Sequence, residues 1–144
     1  MNWTNLGIGL GIAIGILGLS YGGFRVALYQ HNLNKLQEMG KNQARFTELI
    51  ERIHKETPYF VFITSGYRST AKQTILYQQN PKNAKPGTSP HEFKRALDFN
   101  LIGIEGWIRK RDTVETWRAT GVPDIAEDMG FRWGGNFKNY HDPV

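Results

Sequence analysis

The residues best able to do chemistry lie in the stretch Ser89-Pro90-His91-Glu92-Phe93-Lys94-Arg95-Ala96-Leu97-Asp98-Phe99, where a loop histidine precedes an aspartate set among apolar residues by seven positions. Neutral imidazole and carboxylate are both ligands for a transition metal. The chain has no cysteine, so His, Asp and Glu are the only side chains left for that purpose. Each residue also has a plainer reading. On an alternating strand, an aspartate between Leu97 and Phe99 faces solvent; buried, it needs a partner or a metal. His91 taken alone is a polar loop residue, and Arg68, just after the turn at Ser65-Gly66, is a surface arginine. Gln73 and Tyr77 stand four apart on one helix face, where they either line a cleft or pack.

The elements that position these residues emerge from local pattern. Residues 59–64 are an aromatic and β-branched run, expected as a buried strand after Pro58. Ser69 is a cap for a helix through Gln79, and Asn80-Pro81 and Lys85-Pro86-Gly87 mark a loop. Residues 96–102 read as a second strand. Residues 113–119 and 125–129 read as short helices, the latter closed by Gly130, before a glycine turn at Gly134-Gly135 whose residues suit positive φ. Trp107, Trp117 and Trp133 are assigned to packing. Upstream, Val26, Leu33, Leu36, Phe46, Leu49, Ile50 and Ile53 recur at helical spacing, giving one long helix or two with a break near Gly40.

At 144 residues the chain has room for one domain with a real core. Its apolar fraction of 40% argues against disorder, and its charge of +5 favours anionic surroundings. The short run Arg109-Lys110-Arg111, ended by Asp112, reads as a solvated loop, and no basic stripe interleaved with aromatics supports nucleic-acid binding. Residues 6–24 carry no charge and are long enough, as a helix, to cross a bilayer. Gly11 and Gly15 form a small-xxx-small pair that would let such helices self-associate. The lack of a basic stretch before residue 6 favours an uncleaved anchor over a signal peptide. The expected organisation is a transmembrane anchor over 1–24, a helical linker over 25–57 and a mixed α+β domain over 58–144.

Read together and in order, Ser65-Gly66-Tyr67-Arg68-Ser69, Ser89-x-His91-x6-Asp98, Trp133-Gly134-Gly135 and Asp142-Pro143-Val144 resemble the zinc peptidases of the D-alanyl-D-alanine carboxypeptidase type, especially phage endolysins that cut the L-alanyl-D-glutamate bond. The resemblance covers roughly residues 60–144. It implies a small antiparallel sheet with flanking helices, Zn²⁺ held by His91 and Asp98, Asp142 as general base, and Arg68 facing the substrate. Gln73 and Tyr77 would line the cleft, and Ser89 would support the histidine ligand. The implied substrate is a peptidoglycan stem peptide, cut as an endopeptidase, with a terminal D-alanine carboxypeptidase or a non-catalytic wall-binding module as alternatives. A third ligand, a histidine three residues after the base, is also implied. Because the sequence ends at Val144, the readings are a continuation past that residue, a degenerate member, or His141 as a substitute. Lys94 stands where many members have glycine. A wall enzyme needs its domain outside the membrane, whereas Arg25, Lys35 and Lys41 after the span would by the positive-inside rule place it in the cytoplasm.

Overall fold

In the computed structural model, which describes residues 21–137, the periodic N-terminal region forms two helices, α1 (Tyr21–Gln37) and α2 (Gln43–Glu56), joined by a 3₁₀ turn at Gly40–Asn42. The break falls at Gly40 as expected; its φ of +57° is left-handed backbone that glycine adopts without a Cβ penalty. Residues 1–20 lie outside the described residues, so the expected span over 6–24 is represented only by residues 21–24, the first turn of α1. Among the described residues no helix is long and apolar enough to cross a membrane.

The strand expected over 59–64 is β1 (Phe60–Ser65). After it come α3 (Thr70–Gln79), β2 (Asp98–Gly103), β3 (Gly106–Ile108), α4 (Val114–Ala119), α5 (Val122–Asp128) and a 3₁₀ turn at Gly134–Asn136. The three strands form one antiparallel sheet in the order β1-β2-β3. The architecture is thus α+β, a small antiparallel sheet with flanking helices.

Three local differences from expectation have physical causes. The strand expected over 96–102 begins only at Asp98, because pairing with β1 starts there. The helix expected over 125–129 begins earlier, at Val122, with proline in its first turn, where the missing N–H has no intrahelical partner to lose. Trp107, assigned to packing, is 43% exposed, because it lies on β3, a short strand at the edge of the sheet. Trp117 and Trp133 are buried as expected.

One face of the sheet carries Val61, Ile63, Phe99 and Leu101 into a core shared with Leu36 and Met39 near the end of α1, Phe46, Leu49, Ile50 and Ile53 of α2, and Trp117, Val122 and Ile125. The helices that were to link anchor to domain therefore pack into the domain's own core. Full burial of each such aliphatic side chain is worth roughly 1.5–3 kcal/mol. On the other face, Phe24 and Leu28 of α1 cover Phe60 and Ile102.

The edge of β1 away from β2 would expose backbone polar groups, and helix side chains occupy them instead. Asn32 donates through Nδ2 to the Val61 carbonyl (2.8 Å) and accepts from the Ile63 N–H (3.0 Å). His31 Nε2 donates to the Ile63 carbonyl (2.7 Å), and the Val61 N–H donates to His54 Nε2 (3.1 Å). Satisfied edge groups do not template pairing with another chain.

Candidate active site

Between Ile63 and Ser65 the β1-β2 register slips, so that β1 advances two residues, past Thr64, while β2 advances one, from Phe99 to Asp98. An extra residue in one strand bends it and re-aims the chain beyond. Here that chain is Ser65-Gly66-Tyr67-Arg68, beside the start of β2 and the turn at 89–95.

That turn is knit by its own backbone: Glu92 N–H to Ser89 O, Phe93 and Arg95 N–H to Pro90 O, and Lys94 N–H to His91 O. The Glu92 carboxylate accepts from the N–H groups of Gly87 (3.0 Å) and Ser89 (3.1 Å). The Gly87 bond, helped by the Thr70 hydroxyl, holds its pKa below the ordinary carboxylate range. Lys94 sits at φ +59°, a conformation rare for a residue with a Cβ. The lysine thus takes a left-handed path of the kind a glycine adopts at no cost, its carbonyl accepting from Asn42 Nδ2 (2.9 Å) and its ammonium lying 5.0 Å from the centre of the Tyr67 ring.

The outcome is the placement of His91. Its ring is buried, and Nδ1 lies 2.7 Å from the Gly66 carbonyl. A carbonyl only accepts, so Nδ1 carries the proton and, in the neutral ring, Nε2 presents a lone pair. That lone pair faces Oδ2 of Asp98 at 3.3 Å. Two electron-rich atoms at this distance need a cation between or upon them, either a proton or a metal. Two ligands at Zn–N and Zn–O bond lengths in a tetrahedral site stand about 3.3–3.5 Å apart, so the pair has the spacing of two zinc ligands. A metal-bound histidine ordinarily donates its second ring N–H to an oxygen, which is the arrangement seen at Gly66. The residues present therefore fit zinc. Among the described residues no third His, Asp or Glu joins them. Asp142 and His141 lie outside the described residues.

Arg68 is fixed beside this pair. Its guanidinium donates to Gln73 Oε1 (2.8 Å) and Ser65 Oγ (3.1 Å), and its backbone N–H donates to the His91 carbonyl (3.3 Å). Gln73 is fully buried and donates through Nε2 to the Ala84 carbonyl (2.6 Å), so its amide can face in one direction only. Arg68, Gln73, Ser89, His91 and Asp98 line a common cleft of about 1030 Å³; Tyr77, on the same helix as Gln73, is not among its lining residues. Ser89 is buried in the turn, but the group that orients His91 is the Gly66 carbonyl. Sequence reasoning missed that partner, because a backbone carbonyl has no residue signature.

Trp133 is buried, with the Arg118 guanidinium 4.5 Å from its ring centre. Gly135 was expected to supply positive φ and does not; a Cβ there would instead collide with the Trp133 indole. Its glycine is required by close approach of the ring.

Residues 82–144 match the family described as D-alanyl-D-alanine carboxypeptidase. The peptidoglycan L-alanyl-D-glutamate endopeptidase CwlK of Bacillus subtilis is 33% identical over 94 residues, 57% of this chain and 56% of the relative. The chain thus spans little more than half the length of that curated protein. The crystal structure of the L-Ala D-Glu endopeptidase ChiX of Serratia marcescens superposes with a TM-score of 0.58 at 18% identity, covering 78% of this chain and 82% of that one, which is a likeness of fold. His91, Asp98 and the Trp133 turn all fall within the segment that matches the D-alanyl-D-alanine carboxypeptidase family.

Proposed function

We propose that the protein is a zinc-dependent peptidase that hydrolyses peptidoglycan stem peptides at the L-alanyl-D-glutamate bond. The observation that carries this reading is the paired geometry of His91 and Asp98, with Nδ1 committed to a carbonyl and Nε2 directed at a carboxylate oxygen. The endopeptidase names of CwlK and ChiX favour the internal bond. The family description keeps removal of a terminal D-alanine as the second reading.

In this proposal His91 and Asp98 hold the metal. When bound, zinc supplies Lewis acidity toward the scissile carbonyl and toward water. The chain's own residues supply the rest. Arg68, clamped by Gln73 and Ser65, presents a fixed guanidinium to a substrate carboxylate or to the oxygen that gains charge. Asp142, assigned through the resemblance, accepts the proton of the attacking water. Ser89 keeps the histidine turn closed. Residues 6–24 are proposed as the tether to a membrane, with the domain on the wall side.

The test is product analysis on a synthetic stem peptide incubated with the zinc-supplemented chain. Release of N-terminal L-alanine is expected, and release of C-terminal D-alanine would select the carboxypeptidase reading. Asp98→Asn should lower zinc affinity by more than about tenfold and abolish hydrolysis while the far-ultraviolet circular dichroism stays unchanged. Unaltered zinc affinity in that variant would remove Asp98 from the ligand set.

A further inference from the structure

The cleft is charged far out of proportion to the chain. Lys41, Arg45, Arg68, Lys82, Arg95 and Arg132 line it, and the only carboxylate among its described lining residues is Asp98. Two arginine-centred ion-pair clusters lie outside it: Arg52 binds Glu56 and Asp128, and Arg118 binds Asp124 and Glu127. The hydrogen-bond partners of two cleft arginines are neutral groups, and the charge of Arg68 also reaches the Glu92 carboxylate. Arg45 donates to the Met129 carbonyl (2.8 Å) and Arg68 to an amide and a hydroxyl, so these guanidinium groups are held in place without a direct carboxylate hydrogen bond. Three guanidinium groups lie near aromatic rings of the chain itself: Arg45 at 4.5 Å from the centre of Phe131, Arg132 at 5.3 Å from Phe137 and Arg95 at 5.9 Å from Phe93. Stacked guanidinium groups keep their planar donor fork oriented for a carboxylate. The rings against which they lie have a face turned to an arginine of the chain, which removes that face from stacking with nucleic-acid bases.

We infer that this cleft selects stem peptides by charge: it takes peptides that carry further ionised carboxylates beside the one met by Arg68, and discriminates against peptides in which those groups are amidated. Arg95 and Arg132, both exposed at the cleft, are the specificity-determining residues. The inference rests on the peptidase reading above and adds to it the chemical class of the peptide. A one-signed field in a cleft raises local substrate concentration and rejects wrong partners, and it weakens with salt as exposed charges are screened.

Two peptides decide it: L-alanyl-D-glutamyl-diaminopimelyl-D-alanine with its side carboxylates free, and the same peptide with them amidated. With the full, zinc-supplemented chain, kcat/KM should favour the acid form by about tenfold at low salt and by less than about threefold in roughly 0.5 M salt. Arg95→Gln/Arg132→Gln should bring the ratio toward one, whereas Lys55→Gln, a charge removed from outside the cleft, should leave it unchanged. Calorimetry with zinc-free protein should show the same preference in binding, independent of turnover. Equal cleavage of both peptides overturns charge selection and leaves the peptidase reading standing; cleavage of neither sinks that reading. Binding of polyphosphate or RNA in preference to the acid peptide overturns the peptide assignment.

Discussion

A guanidinium that must meet a substrate charge is only as well placed as its supports, and Arg68 has two side-chain supports of different kinds. Ser65 is part-exposed, whereas Gln73 is fully buried and tied to the Ala84 carbonyl. Gln73→Leu is therefore expected to lower kcat/KM by roughly 10–100-fold through misplacement of Arg68, with zinc affinity unchanged. A parallel loss of zinc affinity, measured by competition with a chelator, would mean that the variant disturbs the His91 turn instead. Lys94 offers a second test. Its left-handed backbone disfavours any side chain, and β-branched ones most. Lys94→Gly should match the parent in thermal stability to within about 1 kcal/mol, and Lys94→Val should lose about 2 kcal/mol. At this scale the sequence was informative where a side chain, not the backbone, does the work. His91 and Asp98 were marked by residue type, Arg68 and Ser89 only through the family resemblance, and the structure brings all four to one cleft. The contribution of Gly66 was not legible, because it comes from a carbonyl aimed by the bulge at Thr64. Tyr77 shares a helix with Gln73 without reaching the cleft, since periodicity fixes a helix face but not how far a cleft extends along it.

The sheet edge is held by side chains that no local pattern marks. Asn32 spans Val61 and Ile63 as a neighbouring strand would, and it is buried while doing so. Asn32→Leu leaves a buried carbonyl and a buried N–H without those bonds, and should destabilise the fold by about 2–4 kcal/mol in urea unfolding. His54 accepts from Val61 N–H, a bond that requires an unprotonated Nε2. Burial, reinforced by the positive charge of Arg25, pushes its pKa down from 6.5 to about 4. The folded state therefore resists a proton that the unfolded chain accepts. The stability contributed by the neutral ring is complete above pH 6.5 and is lost as the pH falls toward about 4, by an amount on the order of 3 kcal/mol. His54→Gln, which keeps an acceptor and does not titrate, should flatten unfolding free energy between about pH 7 and 4. A slope equal to the parent's would remove His54 as its source. Helices α2 and α3 and strand β1 were readable from apolar spacing and the Ser69 cap. Strand β3 was not, because it is three residues long and one of them is glycine.

On the scale of the described molecule, side chains of α1 and α2 pack with the sheet in one core. A chain begun after Glu56 would expose the apolar face of β1 and β2 and is expected to aggregate, whereas one begun at Tyr21 should remain soluble and bind zinc; static light scattering on the two separates the cases. The sequence could not show this, because an amphipathic helix looks the same whether it covers its own domain or a neighbour. Direction matters as well. Helix α1 runs alongside β1 in the same sense: Phe24 meets Phe60, His31 bonds at Ile63, and the Lys35 carbonyl approaches Gly66. The chain therefore enters at one end of the sheet, and His91 with Asp98 stands at the other, about six strand residues or roughly 20 Å further on. A tether at the N-terminus would attach at the end of the sheet away from His91 and Asp98. In that arrangement the standoff would set reach, and bonds about one domain-length from the bilayer would meet the cleft before those beside the lipid.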